Sequence, residues 1–376
     1  MSYRSIDFTS LVTDVTGGKK KYQTSEYQKV GLIPVVDQGK ETIAGFVNED
    51  DYTINVKKPY VIFGDHTKTI KYIDFPFVLG ADGVKVLETV DELHPKYLYY
   101  FLQTIKLPDA GYNRHFKYLK ETKIPLPPLP IQKKIAAILD KADSLRQKDK
   151  QLLEHYDKLA QSIFHDMFGD PVMNAKGWDR LQLSSVCVQI TDGTHFSPPP
   201  SDSGVPYITA KHLKLSGLDF YSDPTYVSLE EHQKIFARCR PEKGDVLYIK
   251  DGATTGIAAI NHYDFEFSML SSLALIKPDG KNLNNYYLKS WLNHEKVKEN
   301  LIRNYMAGAA IKRFTLSKIN LFEIPLPPMS LQSEFKRKIE KIESSTSIVL
   351  KSYKQSDFLF QGLLQKAFKG ELVKES

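Results

Sequence analysis

The sequence predicts an α+β protein made twice over: two globular α+β domains separated by two long antiparallel coiled-coil helices, the halves related by a pseudo-two-fold internal repeat. Three observations predict it. The stretch IPLPP stands at 124–128 and again at 324–328. The match then holds in one register, with Gln132 against Gln332, Lys141 against Lys341, Leu159 against Leu359, Gln161 against Gln361 and Phe168 against Phe368. Each copy is followed by a heptad-spaced apolar seam with a marked stop. Each is preceded by short β-branched and aromatic runs broken by Gly, Asp and Pro, over 30–90 and 180–280, which is the pattern of strands and hairpins.

The elements follow in order. Domain one takes residues 1–123, with strands and turns around "GLIPVVDQGK" and "KKPYVIFGDHTKT" and a short helix near 95–106 from "HPKYLYYFLQ". Proline fixes φ and biases its neighbours toward extended backbone. IPLPP is therefore a stiff extended entry into a helix, and 124–169 forms the first spacer segment. Its seam is Ile131, Ile135, Ile138, Ala142, Leu145, Asp149, Leu152, Tyr156, Leu159 and Ile163, alternating steps of four and three as a coiled coil requires. Gly169 and Pro171 stop it. Domain two fills 170–323, and its "SGVPYITAKHLK", "EKGDVLYIKDGATTG" and "NNYYLKSWLN" loosely match the three stretches of domain one. The last gives a short helix near 283–300. The second spacer segment, 324–376, carries Phe335, Ile339, Ile342, Thr346, Val349, Tyr353, Ser356, Phe360, Leu363 and Ala367, and Gly370 ends it. Seams this long and strict favour mutual pairing over two helices that each lie on their own domain. The polar seam positions Asp149, Thr346 and Ser356 either fix the register or are tolerated near solvent.

Chain order makes paired helices antiparallel and brings the domains into an approximate two-fold relation. A helix over 131–168 spans roughly 57 Å at 1.5 Å per residue, against roughly 34–36 Å for one turn of DNA. Two modules on such a bar reach two DNA segments. Because the domains differ in sequence, an asymmetric two-part target is implied.

Bulk properties are compatible with this. The 376 residues are 41% apolar and 26% charged, ordinary values for a soluble globular protein. The net charge of +6 argues only weakly for a polyanionic partner. Two cysteines, Cys187 and Cys239, give no disulfide framework and no zinc-ligand spacing. The N-terminus lacks an apolar signal core, and no run approaches the 18 apolar residues of a membrane span.

Together these features resemble the specificity (S) subunit of type I restriction–modification systems. The resemblance rests on the paired IPLPP…Q helix starts at 124–132 and 324–332, on "FVLGADGVKVL" and "GYNRHFKYLKETKIPLPP" in the first half, and on "TDGTH", "GVPYITAKHL" and "KGDVLYIKDGATTG" in the second. It covers essentially the whole chain. It implies two target recognition domains, each reading one half of a bipartite double-stranded DNA sequence. It also implies a helical spacer that binds methyltransferase (M) subunits, two per S subunit, with restriction/translocase (R) subunits held through M. On this resemblance the chain is a cytoplasmic, non-catalytic subunit with no cofactor of its own and no membrane partner. S-adenosylmethionine, ATP and Mg²⁺ belong to the partner subunits. The second helix is poorer in leucine than the first, so the halves need not hold their partners equally.

Catalytic motifs are missing. The Asn-or-Asp-Pro-Pro-aromatic motif of an adenine methyltransferase is absent, since Pro127-Pro128 has Leu on both sides. A translocase needs a phosphate-cradling GxxxxGK loop, and there is none. Without it "DELH" at 91–94 reads as a turn and helix cap. The alternatives are a stand-alone DNA-binding scaffold and a Mg-dependent nuclease using Asp109, Glu121 and Lys123. The nuclease pattern is short, and Lys123 runs straight into the proline hinge.

Candidate DNA contacts are Lys, Arg and small polar donors placed on loops. In domain one they are Gln38, Lys40, His66, Thr67, Lys68, Tyr112, Asn113, Arg114, His115 and Lys117. In domain two they are Thr194, His195, Lys211, His212, Lys250, Thr254, Thr255, Lys312 and Arg313. The Arg114 and Lys250 stretches stand out as loops. The spacer and partner-binding positions are Ile131, Ile135, Ile138, Leu145, Leu152, Tyr156, Phe335, Ile339, Ile342, Val349, Tyr353 and Phe360.

Overall fold

The computed structural model describes residues 3–48, 52–108, 113–306 and 313–373. The chain divides into two compact units, Met1–Gln151 with Leu350–Ser376, and Leu152–Val349.

Unit one opens with β1 (Ser5–Asp7), α1 (Phe8–Leu11), β2 (Val12–Asp14), β3 (Ile33–Val36), β4 (Gly45–Val47), β5 (Tyr60–Gly64), β6 (Ile70–Ile73), β7 (Val78–Leu79) and β8 (Val84–Thr89). Then come α2 (Pro95–Leu102), α3 (Phe116–Lys120), β9 (Lys123–Pro125) and the long α4 (Leu129–Phe168). Unit two continues with β10 (Arg180–Gln182), α5 (Leu183–Val186), β11 (Cys187–Asp192), β12 (Val205–Ile208), β13 (Leu213–Lys214), β14 (Gly217–Leu218), β15 (Tyr226–Val227) and α6 (Leu229–Arg238). It closes with β16 (Val246–Ile249), β17 (Ala258–Ile260), β18 (Ser268–Met269), β19 (Leu273–Pro278), α7 (Asn285–Asn293), α8 (Glu295–Tyr305), α9 (Leu316–Asn320), β20 (Glu323–Pro325) and α10 (Met329–Phe368).

The two units share one topology. Unit one has a four-stranded sheet β2-β8-β5-β6 and a three-stranded sheet β4-β3-β7. Unit two has β11-β19-β16-β17 and β15-β12-β18 in the same places. In both, the small sheet mixes one antiparallel pair with one parallel pair, β3 with β7 and β12 with β18. Unit two adds the β13–β14 hairpin and α6 ahead of β16, and α8 after α7. The central strands are apolar on both faces, and Val61, Ile62, Phe63, Val246, Leu247, Tyr248 and Ile249 are all buried. This double burial explains why they read as short continuous apolar runs rather than alternating ones.

The repeat has a physical cause. In each copy the isoleucine of IPLPP is a fully buried strand residue, Ile124 facing Ile6 and Ile324 facing Leu181. The following leucine N–H donates back across the pair, Leu126 to the Arg4 carbonyl and Leu326 to the Asp179 carbonyl, both at 2.8 Å. The repeated glutamine then ties three segments together. Gln132 Oε1 accepts from the His94 N–H (2.8 Å), while Nε2 donates to the carbonyls of Glu92 and Pro127 (both 2.8 Å). Gln332 makes the same set, accepting from the Asn284 N–H (2.9 Å) and donating to Asn282 (2.9 Å) and Pro327 (2.8 Å). Each glutamine therefore pins the backbone at the start of a short helix earlier in the chain, α2 or α7, whose tyrosine hydroxyl returns to the hinge: Tyr97 to the Pro125 carbonyl and Tyr287 to the Pro325 carbonyl, 2.7 Å each. Asp91–His94 is the turn before α2 with His94 at its N-cap, so "DELH" is a turn and cap.

Each long helix gives one end to each unit, and within a unit the two ends pack antiparallel. In unit one, Arg146 bonds Asp357 (3.1 Å), and Asp149 accepts from Ser352 and Ser356 (3.0 Å each), so numbers rise on α4 as they fall on α10. In unit two, Phe164 and Phe168 pack edge-on against Phe335. The α10 seam lies as the sequence indicates: Phe335, Ile339 and Phe360 are buried, and Ile342, Val349 and Tyr353 half-buried. On α4 the buried Ile131 and Ile135 and the half-buried Tyr156 also face inward.

The other α4 row is displaced by one residue from the sequence reading. Leu139, Arg146, Leu153, Ala160 and Met167 turn inward, Ile138 is half-buried, and Leu145 (55%), Leu152 (39%) and Leu159 (46%) are exposed. Both rows satisfy the heptad spacing, so the facing residues decide. Leu139 enters the unit-one core, while Ala160 and Met167 lie against the unit-two core. Arg146 covers the Phe360 ring at 4.2 Å while its guanidinium reaches Asp143 and Asp357.

Candidate nucleic-acid interface

In unit one, three loops converge on the β5–β6 turn. The Asp65 N–H donates to the Gly83 carbonyl (2.6 Å), and the Asp65 carbonyl accepts from the His115 N–H (2.8 Å). The buried Asp65 carboxylate also accepts from the Phe116 N–H (2.7 Å), fixing the start of α3. Gln38 joins the third loop: its side chain accepts from the His66 N–H (3.2 Å) and donates to the Asp82 carbonyl (2.8 Å), and its own carbonyl takes the Thr67 hydroxyl (2.6 Å). Gly80 permits the approach, since a Cβ there would lie 2.3 Å from Tyr27 Oη.

The cluster presents Lys40, Thr67, Asn113, Arg114 and Lys117 at the surface. Lys68, with φ of 60°, is half-buried and donates to the Pro108 carbonyl (3.1 Å), and His66 is half-buried. His115 is different. Its ring is fully buried, so no duplex reaches it in this arrangement. Gln38 likewise spends its amide on holding loops together. Tyr112 lies outside the described residues.

Unit two builds the same junction. The Lys250 N–H donates to the Ser272 carbonyl (2.9 Å), and the Lys250 carbonyl accepts from the Phe314 N–H (2.8 Å). These are the bonds of Asp65, so one backbone position carries a buried anion in unit one and a buried cation in unit two. The Lys250 ammonium meets Asp192 at 3.3 Å, both side chains being under a tenth exposed. Asp192 also takes Arg238 (2.8 Å) and His195 (3.4 Å). Gly193 follows because the chain passes against β18: a Cβ would sit 1.7 Å from the Met269 carbonyl oxygen.

His195, Lys211, Thr254 and Arg313 are exposed, Lys211 in an ion pair with Asp223 (2.9 Å) and Arg313 bridged through its backbone to Asp251. Thr194, His212, Lys250 and Thr255 are buried. His212 is held at both ring nitrogens, Nδ1 accepting from the Thr209 N–H (3.0 Å) and Nε2 meeting the Asp223 carbonyl (2.9 Å). Burial pushes its pKa down, so its place is a neutral internal brace. Thr255 donates to the Gly252 carbonyl within its own turn. Lys312 lies outside the described residues. Sequence reasoning passed over Asp65, Asp192 and Arg238. The first two are acids where a DNA contact calls for cations, and the third ends a helix and does not lie on a loop.

The nuclease pattern gains nothing here. Asp109 lies outside the described residues, Glu121 ends α3, and Lys123 on β9 faces Asp7 at 3.6 Å. Among the described residues no group of three His, Cys, Asp or Glu could hold a metal ion. Burial pushes the Cys187 and Cys239 thiols up to about 12, which leaves them protonated and unreactive. No described helix is long and apolar enough to cross a membrane.

The chain matches the family described as the type I restriction modification DNA specificity domain over residues 11–155 and 175–355. The chain belongs to this family. Two relatives from Methanocaldococcus jannaschii, described as the MjaX and MjaIX type I restriction enzyme specificity subunits, are each 24% identical. The first match covers 70% of this chain and 65% of the relative, the second 77% and 72%. The crystal structure of the S subunit of a type I restriction–modification system from M. genitalium matches 100% of this chain and 96% of that one, with a TM-score of 0.61 at 16% identity. That likeness is one of fold. The two family segments each contain one of the loop junctions.

Proposed function

We propose that this specificity-family chain reads an asymmetric, bipartite double-stranded DNA target, one half-site at each loop junction, and is itself non-catalytic. One observation carries the reading. The same junction of loops is built twice on one topology, with different charged residues at the matched position, Asp65 and Lys250. A repeated scaffold with divergent loops suits two half-sites of unlike sequence. In this reading the functional modules are 1–123 and 170–323 for recognition, with 124–169 and 324–376 as the helical segments.

Methyltransferase subunits, two per chain, dock along the helices, and restriction/translocase subunits are held through them in the cytoplasm. The exposed row Leu145, Leu152 and Leu159 supports such docking. No cofactor is assigned to this chain. S-adenosylmethionine, ATP and Mg²⁺ act in the partners.

Replacing residues 172–322 with the matching segment of a relative tests the modular reading. Selection of bound duplexes should return one changed half-site and one unchanged. A simultaneous change in both would sink it.

A further inference from the structure

We propose that Arg238 is a guanine reader for the half-site recognised by unit two, held in position by Asp192. The inference rests on the bipartite DNA reading above and names a residue for it.

Asp192 is buried and already neutralised by the equally buried Lys250. One ammonium balances the charge of Asp192 through Oδ2, and Arg238 is a second, exposed cation on Oδ1. Its side chain is 54% exposed, yet it is tethered at one nitrogen: Nη2 donates to Asp192 Oδ1 at 2.8 Å and lies 3.3 Å from His195 Nε2. Nε and Nη1 make no hydrogen bond among the described residues. A guanidinium fixed at Nη2 has its plane oriented, and the second Nη2 hydrogen, shared in this structure with His195, makes a two-donor edge with Nη1 or Nε. That is the geometry required for bidentate contact with guanine O6 and N7. A phosphate contact needs charge but no fixed plane.

The setting agrees. Arg238 stands at the C-terminal end of α6, an element unit one lacks, and shares Asp192 with the Lys250 loop. In unit one the register puts Thr16 at the position of Asp192, and the nearest carboxylate is Asp14, two residues earlier. It takes Lys85 at 2.9 Å and Thr16, and no arginine among the described residues. The reader is therefore a property of one half-site only.

The test uses the full chain assembled with its methyltransferase subunits and a pool of duplexes with a randomised core, the bound fraction being sequenced. The wild type should require guanine at one position of one half-site. Arg238→Ala and Arg238→Lys, the second keeping the charge but losing the fork, should each relax that position by about 5- to 100-fold and leave the other half-site intact. Asp192→Asn should weaken the same preference, since Asp192 acts as a positioning residue. Arg238 variants that keep every base preference overturn the inference. So does uniform weakening across all sequences with a shallower salt dependence, the mark of a phosphate contact. A wild-type selection with no two-part motif would instead remove the reading on which the inference rests, and the inference with it.

Discussion

Phe335→Ala is expected to cost about 3–5 kcal/mol and to loosen unit two selectively. Phe335 is fully buried, with ring centroids 5.7 Å from Phe164 and 5.1 Å from Phe168. Phe168 in turn lies 4.7 Å from Tyr287 of α7. Truncation removes apolar contact and two aromatic pairs, each worth about 0.5–1.5 kcal/mol beyond area, and opens a cavity between both long helices and α7. A two-unit chain need not melt in one step. The measurement is therefore hydrogen exchange by segment, where protection should fall across 156–168, 283–305 and 329–342 and hold in 60–102. Loss of protection spread evenly over the chain, or a change below about 1 kcal/mol, would contradict this packing.

Gln132→Leu should be nearly as damaging, and Gln332→Leu should match it. Each substitution keeps the side chain's size but removes its amide, and so orphans one N–H and two carbonyls at the hinge, namely His94, Glu92 and Pro127 in one copy and Asn284, Asn282 and Pro327 in the other. An unsatisfied buried polar group costs about 1–3 kcal/mol. Denaturant unfolding of the two variants should show losses of several kcal/mol that agree to within about 1 kcal/mol. Similar stability to wild type in either one would mean that the repeated glutamine is not the tie between hinge and helix.

Much of this architecture was legible in the sequence because repetition and periodicity are global signals. The IPLPP…Q motif marked both hinges, and the α10 seam emerged with most of its inward residues, though it named the half-buried Leu363 and not the buried Leu364 beside it. Its limits were local. On α4 two rows of residues fit the heptad equally well, and leucine at 145, 152 and 159 drew the choice to the exposed row. The inward row includes Arg146, whose membership depends on Asp357 and Phe360 across the pair, partners no spacing reveals. The loop candidates show the same limit. His115, His212 and Lys250 have the residue types of a DNA contact, but the chain turns them inward, and a turn motif does not say which side of the backbone faces solvent. Conversely, Asp192 was visible inside "TDGTH", but its role as the shared partner of Lys250, His195 and Arg238 exists only once β11, β16 and α6 are assembled.

Reading of two unlike half-sites by one chain, as proposed above, is open to direct test. The most direct measurement is sequencing of methylated bases in the genome of a host carrying this chain together with a type I methyltransferase subunit. Two half-site readers should leave a gapped, asymmetric motif with two specified blocks separated by unspecified bases. A single continuous, ungapped motif would contradict the proposal.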